Sequence, residues 1–288
     1  MGRRLEGWHR MLAGAGARRV PALMGVCNVT PDSFSDGGRY LGKDAAIARV
    51  DELLAEGADV VDIGGESTRP GAHPVPAREQ LTRVLDVVKA AADRGACVSV
   101  DTASEEVAAA CLDAGACAIN DVSCLRDERL ARVVAGSGAA LLLMHARETQ
   151  ERMAGFSQYP DGAYGDIVAD VLAEWEAAAA RAIAQGLPRE ALVMDPGLGF
   201  AKNARHSLEL LRRTRELVQR AGVPVAIGAS RKSFLQVVDR DAPPEARIGA
   251  SIMAAVHAAA AGAAIVRVHD VRATRQAIEL SLAMRKEP

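Results

Sequence analysis

One unit recurs along the whole chain: a short apolar run that ends in polar residues, a loop, a helix with one apolar stripe, and a glycine. Glycine adopts the left-handed backbone conformation that ends many helices, so a glycine just before each apolar run predicts a helix C-terminus. The apolar stripe has helical spacing, as in Leu81, Val84, Leu85 and Val88. The glycines at these positions are Gly57, Gly95, Gly115, Gly186, Gly222 and Gly262.

The apolar runs are uniform rather than alternating, which is typical of strands covered on both faces of a parallel sheet. Alternation of such strands with helices requires parallel pairing through right-handed crossovers. Eight units in 288 residues favour an α/β fold of the closed (β/α)8 TIM barrel type over an open, doubly wound sheet, which is the alternative. The predicted strands are residues 23–29, 59–64, 97–102, 118–121, 139–145, 192–196, 224–230 and 264–269.

The chain shows no linker, low-complexity tract or shift in composition, so residues 21–288 are predicted to form a single domain. Residues 1–20 are rich in arginine, contain one acidic residue (Glu6), and lack the apolar stretch of a secretory signal. We expect this segment to be a flexible N-terminal arm. An organelle transit peptide is the alternative interpretation.

Composition limits the classes of partner. The formal net charge is −2, from 35 basic and 37 acidic residues, which does not support a nucleic-acid or membrane partner. The five cysteines form no Cys-x-x-Cys pair, so reduced thiols in a cytoplasmic protein are expected. No apolar run reaches the length of a membrane span. A charged ligand would therefore have to be held by a local cluster of side chains.

Polar residues end every predicted strand, and the carboxyl ends of barrel strands meet at one mouth, where such barrels carry out chemistry. Alone, each is more often a helix cap or a turn residue, but eight such ends at one mouth indicate a ligand site. Acceptors near the barrel axis are expected from Asp62, Asp101, Asn120 and Asp195. Cations toward the rim are expected from Arg69, Lys232, Arg267 and His269.

These two groups predict the chemistry of a ligand. Buried carboxylates need donors, which an amidine or 2-aminopyrimidinone edge would supply, while rim cations suit a phosphate or diphosphate. The pattern therefore predicts a cavity for a flat, amine-edged heterocycle with an anionic tail. The alternative is a network of mutual ion pairs inside the mouth. Asparagine and aspartate oxygens suit Mg²⁺, whereas only His145 and His269 are candidates for a transition-metal site, which is therefore disfavoured.

Other local patterns are less specific. The loops at residues 28–38 and 64–71 are long and polar, as lids over active sites often are, although ordinary solvated loops are the alternative. Residues 197–202 begin like a dinucleotide-binding loop but lack its third glycine, and residues 228–233 lack the spacing of a phosphate-binding loop. A Ser230 nucleophile beside Lys232 is disfavoured because no orienting or oxyanion group is evident.

Six segments, taken in order from the first predicted strand to the eighth, together resemble dihydropteroate synthase of the folate pathway. They are residues 28–38, 62–71, 99–102 with 120–123, 195–200, 230–233 and 267–270. The resemblance covers nearly all of the chain after residue 20. It implies a transferase that condenses 6-hydroxymethyl-7,8-dihydropterin diphosphate with 4-aminobenzoate to give 7,8-dihydropteroate and pyrophosphate, by departure of the leaving group and attack of the arylamine.

The resemblance also implies roles for the residues that match it. For the pterin, the implied residues are Asp101, Asn120, Asp195 and Lys232, and Asp62 would support that pocket. Met144 is implied as a substrate contact. For the diphosphate and its Mg²⁺ ion, they are Arg267, His269 and, as metal ligand, Asn28. For the aminobenzoate pocket, they are Phe34, Thr68, Arg69, Pro70, Phe200 and Ser233. The implied catalytic set is Lys232, Arg267, His269 and Asp101. Sulfonamide inhibitors and a homodimer are also expected.

The chain departs from the family pattern after the fifth predicted strand. Many members read Met-His-Met-Gln-Gly there, whereas this chain reads Met144-His145-Ala146-Arg147-Glu148-Thr149, so a different local loop is expected. Cys27 stands where leucine is common, and the basic N-terminal arm has no clear counterpart. Two functional alternatives remain: a methyltetrahydrofolate–corrinoid methyltransferase, which shares the Asp and Asn pattern, and a pterin-binding paralogue without activity.

Overall fold

The eight predicted strands form one parallel barrel in the computed structural model, which describes residues 2–29, 39–67, 73–149 and 159–285. The strands are β1 Ala22–Asn28, β2 Val60–Gly64, β3 Val98–Asp101, β4 Ala118–Asp121, β5 Ala140–Met144, β6 Leu192–Asp195, β7 Ala226–Ile227 and β8 Ile265–Val268. Hydrogen-bonded neighbours follow the order β6-β5-β4-β3-β2-β1-β8-β7. The closed barrel is therefore confirmed over the open sheet.

The barrel closes between β6 and β7 through a short seam. Strand β7 has two residues, Ala226 and Ile227, and pairs with β8. On its other side, a parallel bridge joins Met194 of β6 to Val225, and the Met194 amide donates to the Pro224 carbonyl at 2.9 Å. The predicted seventh strand, residues 224–230, is thus too long, because residues 228–230 leave the ladder.

One helix precedes β1, and at least one further helix follows each strand. The helices are α1 Arg3–Ala17, α2 Arg39–Ala55, α3 Ala77–Asp93, α4 Glu105–Asp113, α5 Glu128–Ser137, α6 Ile167–Ala184, α7 Ala204–Arg212, α8 Thr214–Ala221, α9 Ile248–Ala261 and α10 Val271–Ala283. All six predicted helix-ending glycines have positive φ, between 64° and 112°. Among the residues that the structure describes, no helix has the length and apolarity to cross a bilayer.

The N-terminal segment differs from the flexible arm that the sequence predicted. Residues 3–17 form helix α1, whose Leu5, Trp8 and Ala15 side chains are buried. The Leu5 amide donates to the Gly138 carbonyl at 3.0 Å, and the Arg4 guanidinium donates to the Ser137 carbonyl at 2.9 Å. The helix docks because Leu5, Trp8 and Ala15 lie on one face. The many arginines of this segment made that apolar spacing hard to recognise in the sequence.

We expect Trp8→Ala to destabilise the fold by ~3–5 kcal/mol, because the indole is 1 % exposed and its removal leaves a cavity. Urea unfolding followed by circular dichroism measures this change. Arg10→Ala, on the exposed face of the same helix, is the matched control and should change the free energy of unfolding by less than ~0.5 kcal/mol. Equal unfolding midpoints for the two variants would show that α1 does not dock.

Candidate functional site

Strand register brings three predicted site residues, Asn28, Asp101 and Asn120, to one level at the mouth of the barrel. Asn28 pairs with Gly64, Gly64 with Asp101, and Asp101 with Asn120, across strands β1 to β4. On the far side of the sheet, Met144 pairs with Asp195 across β5 and β6. The predicted convergence of these strand ends is therefore what the structure shows.

Two buried carboxylates and one guanidinium form the centre of this mouth. Asp62 is fully buried and Asp101 is 6 % exposed. Arg267 donates from Nε to Asp62 Oδ2 at 2.7 Å and from Nη2 to Asp101 Oδ2 at 3.0 Å. The Asn120 amide also donates to Asp62 Oδ2, at 3.1 Å. The mutual ion pairs considered as an alternative from the sequence thus exist for these residues.

The location of Arg267 corrects the sequence interpretation, which placed its charge toward the rim. Its backbone pairs with Met24, four residues before the end of β1, so the side chain starts deep in the barrel. From there it rises to the two carboxylates instead of pointing to the rim. Arg267 therefore belongs with the acceptor group near the barrel axis.

The ion pairs leave part of each carboxylate without a donor. Among the described residues, Asp62 Oδ1 and Asp101 Oδ1 are buried and accept no hydrogen bond. Burial raises the pKa of Asp101 above its ordinary value, and the Arg267 guanidinium opposes that rise. Buried acceptors without donors are costly, so this mouth favours a ligand that presents N–H groups to both oxygens.

A third carboxylate, Asp195, faces the same space from β6. Its Oδ1 accepts from the Gly197 amide at 2.7 Å, and burial raises its pKa while the Lys232 charge lowers it. Gly228 stands opposite: a Cβ at that position would lie 3.7 Å from Asp195 Oδ2. Residue 228 therefore puts no side chain into the space beside the carboxylate. We did not predict Gly228, although a glycine at the end of an apolar run is the signal of a close approach.

Lys232 connects this carboxylate to the apolar side of the mouth. Its Nζ donates to the Leu198 carbonyl at 2.7 Å and lies 4.7 Å from the centre of the Phe200 ring. Burial lowers the pKa of Lys232 to about 8, and Asp195 opposes this shift, so the ammonium is charged at neutral pH. Phe200 packs with Met144 and Ala146 in a small apolar cluster separate from the main core. Ser233 begins the short 3-10 helix that follows Lys232.

His269 lies beside Ser230, in surroundings that disfavour the cationic form expected from the sequence. Its Nδ1 lies 3.0 Å from the Ser230 hydroxyl. Burial lowers the pKa of His269 to about 3, and the charges of Arg267 and Arg231 lower it further. The ring therefore offers a hydrogen bond rather than a charge. Because Ser230 pairs with His269 while Lys232 donates to Leu198, the disfavoured Ser230–Lys232 nucleophile gains no support.

Three other polar strand ends have structural roles. The Asp121 carboxylate accepts from the Ser123 amide at 2.8 Å and the Leu125 amide at 2.6 Å, and so closes a turn. Asp270 pairs with Arg231 at 2.8 Å. His145 is fully buried and contacts Glu174 and Lys202 instead of the mouth. The capping and packing roles expected of isolated strand-end residues therefore apply to these positions.

Some predicted site residues lie outside the described residues: Phe34, Thr68, Arg69 and Pro70, together with most of the two polar loops. Asn28, the predicted metal ligand, ends β1 with its side chain exposed. No cluster of three histidine, cysteine or acidic side chains suited to a metal occurs in the part of the chain that the structure describes. A protein-only metal cage is thus not built from those residues.

Comparisons with known proteins relate the chain to one family of enzymes. The family model described as "Pterin binding enzyme" matches residues 24–269. A dihydropteroate synthase from Mycobacterium leprae is 46 % identical over 264 residues, which cover 90 % of this chain and 91 % of the relative. A Xanthomonas albilineans dihydropteroate synthase structure with 4-aminobenzoic acid has a TM-score of 0.84 and 40 % identity, covering 93 % of this chain and 94 % of that one. A Yersinia pestis dihydropteroate synthase structure with a sulfonamide drug has a TM-score of 0.84 and 38 % identity, covering 92 % and 94 %.

We expect His269 to remain neutral from pH 8 to pH 5, because burial and its arginine neighbours disfavour the imidazolium. An unfolded histidine takes up a proton near pH 6.5, so this group's contribution to stability is present above that pH and is lost as the pH falls toward 3. An NMR titration that follows the His269 Cε1–H signal tests the expectation. Arg231→Met, which removes one nearby charge, should raise the pKa. An inflection near pH 6.5 in the unmodified protein would contradict the prediction.

Proposed function

The chain belongs to the dihydropteroate synthase family of pterin-binding enzymes, which are transferases, and on this premise we propose how its described residues carry out the reaction. The reaction joins the methylene carbon of 6-hydroxymethyl-7,8-dihydropterin diphosphate to the amine nitrogen of 4-aminobenzoate and releases pyrophosphate. Because the relatives reported above are synthases, the comparisons support this reaction over corrinoid methyl transfer.

The observation that carries the proposal is the pair of buried, unpaired carboxylate oxygens, Asp62 Oδ1 and Asp101 Oδ1. The 2-amino group and ring N–H of a pterin supply adjacent donors, which suit carboxylate acceptors of this kind. Asp195 and Asn120 add buried polar groups near the ends of β6 and β4, and Gly228 puts no side chain beside Asp195. In this proposal the Arg267 guanidinium compensates negative charge at Asp62 and Asp101 and leaves one oxygen of each as an acceptor.

The chemical step depends on charge at the leaving group. The bond between the methylene carbon and the diphosphate oxygen breaks, its electron pair leaves with pyrophosphate, and the positive charge at carbon is delocalised into the pterin. The Lys232 ammonium, the partly exposed Arg267 guanidinium and a hydrogen bond from His269 would stabilise the departing oxygens. The arylamine is nucleophilic without a strong base, so catalysis is mainly positioning and leaving-group stabilisation.

Mg²⁺ fits this site as an ion carried with the diphosphate. Asn28 offers an amide oxygen at the exposed end of β1, and Mg²⁺ commonly completes its octahedron with waters and substrate phosphates. When bound, the ion would withdraw charge from the diphosphate and so make it a better leaving group. Asn28 is the residue of this chain that would hold the ion.

The second substrate would bind beside the apolar cluster of Met144, Ala146 and Phe200. An aromatic acid suits such a surface, and the Xanthomonas and Yersinia enzymes hold 4-aminobenzoic acid and a sulfonamide drug, respectively. We therefore propose that sulfonamides compete with 4-aminobenzoate for this protein as well. Phe34, Thr68, Arg69, Pro70 and Ser233 stay proposed members of this pocket.

The proposal extends to assembly and location. Helices α9 and α10 pack side by side and expose large apolar side chains, with Met253 62 % and Leu280 62 % exposed. A second copy of this chain is the proposed occupant of that surface, giving a homodimer. The family's folate reaction and the reduced cysteines are consistent with a cytoplasmic enzyme.

Turnover by the purified protein tests the proposed function directly. With pterin diphosphate, 4-aminobenzoate and Mg²⁺, we expect both pyrophosphate and dihydropteroate, which distinguishes an active synthase from an inactive pterin-binding paralogue. Lys232→Met should lower kcat/KM by about 100-fold, because it removes a charge that stabilises the leaving group. Lys89→Met, an exposed lysine on α3, is the matched control and should act like the unmodified protein. Normal turnover by Lys232→Met would remove Lys232 from the site.

Removal of Mg²⁺ by a chelator should slow turnover, and added Mg²⁺ should restore it. Asn28→Ala should raise the Mg²⁺ concentration needed for half-maximal activity on the order of tenfold, which corresponds to about 1.4 kcal/mol of lost binding. Asn28→Asp keeps an oxygen ligand and should stay close to the unmodified protein. An unchanged Mg²⁺ requirement in Asn28→Ala would exclude Asn28 as a ligand.

A further inference from the structure

Lys202 is a buried cation that the reaction described above does not use. Its side chain is 1 % exposed, although it follows directly on the loop of residues 195–200 that carries Asp195 and Phe200. Its Nζ donates to the Phe200 carbonyl at 3.1 Å and lies 2.9 Å from Nδ1 of His145. Since burial of an ammonium is costly, a lysine held in this place must be compensated by these contacts.

The contacts of His145 define the tautomer of its ring. The Glu174 carboxylate beside Nε2 can only accept, so the ring proton lies on Nε2 and Nδ1 accepts from Lys202. Nε2 then donates to Glu174 Oε2 at 2.9 Å. Glu174 also accepts from Arg147 Nε at 3.0 Å, which links the divergent segment after β5 to the same network. Burial lowers the pKa of His145 to about 4, and the Lys202 charge contributes, so the ring is neutral.

The backbone beside Lys202 is in a conformation that needs support. Ala201 has φ 47°, in the left-handed region that a residue with a Cβ seldom adopts. Its carbonyl accepts from the Tyr164 hydroxyl at 3.0 Å, and the preceding carbonyl, of Phe200, accepts from Lys202. On the other side of the loop, Lys232 donates to the Leu198 carbonyl. Lys202 and Lys232 therefore each donate to a backbone carbonyl of this loop.

We propose that Lys202 is a positioning residue for pterin binding, which holds the loop of residues 195–200 so that Asp195 and Phe200 face the substrate. The inference rests on the proposed function of this site. Lys202 acts through the Phe200 carbonyl and His145 and has no substrate contact of its own. Its charge acts on the same loop as well: burial raises the pKa of Asp195, and Lys202 is one of the cations that oppose the rise.

A graded pair of substitutions tests the role by steady-state kinetics. Lys202→Met removes the charge and the donors at similar length, and should raise KM for the pterin diphosphate about tenfold with a smaller change in kcat, because the loop shifts before chemistry begins. Lys202→Gln keeps an N–H donor for the Phe200 carbonyl and should lie between Lys202→Met and the unmodified protein. Lys89→Met is again the exposed control.

Nitrogen-15 NMR of His145 supplies a readout that general loss of stability would not change in the same way. In the unmodified protein we expect the Nε2–H tautomer alone, with Nδ1 as acceptor. In folded Lys202→Met, loss of the donor to Nδ1 should shift the Nδ1 nitrogen signal, while Nε2–H still donates to Glu174. Circular dichroism establishes that each variant is folded.

The outcomes separate this inference from the proposed function. Absence of turnover in the unmodified protein would refute the function and leave the His145 nitrogen signals as the test of the Lys202 contact. If Lys202→Met has the same KM values and the same His145 nitrogen signals as the unmodified protein, the inference is overturned while the function stands. If Lys202→Met does not fold, Lys202→Gln provides the kinetic test, and an Nδ1–H tautomer in the unmodified protein would overturn the inference by itself.

Discussion

The ion pairs of Arg267 with Asp62 and Asp101 are the interaction on which the mouth of the barrel depends. Two buried carboxylates that share one guanidinium are costly unless a positive charge compensates them. One guanidinium bonds to an oxygen of each and leaves the other oxygen of each as an acceptor. The pair is thereby kept ready for a ligand with N–H donors, and Asn120, Asp195 and Lys232 are arranged around it.

The fold could be predicted from the sequence to a large extent, because each barrel unit carries its own local signals. Uniform apolar runs and helix-ending glycines are short-range features, and the eight strands lie where those features indicate. The length of β7 depends instead on which neighbour it can pair with across the closing seam, and no local pattern contains that information. Helix α1 was missed because its arginines outweighed the apolar spacing of Leu5, Trp8 and Ala15.

Some residues of the candidate site could be predicted from the sequence, and others could not. Residues whose backbone lies at the mouth, such as Asp101 and Asn120, follow directly from strand register. Long side chains do not, since Arg267 starts deep in β8 and reaches upward, and the charge of His269 depends on burial that a sequence does not reveal. Lys202 and Gly228 were missed for the same reason: one is defined by what surrounds its ammonium, the other by the space left by an absent side chain.

The seam between β6 and β7 links ligand binding to the stability of the closed barrel. Asp195 stands at the end of β6 and Lys232 follows β7, so the two groups lie on opposite edges of the place where backbone pairing is sparsest. A pterin held by both would tie these edges together with contacts that the sheet itself does not supply. Substrate binding at the mouth would then stabilise the closed barrel, because the ligand would bind only the folded ring.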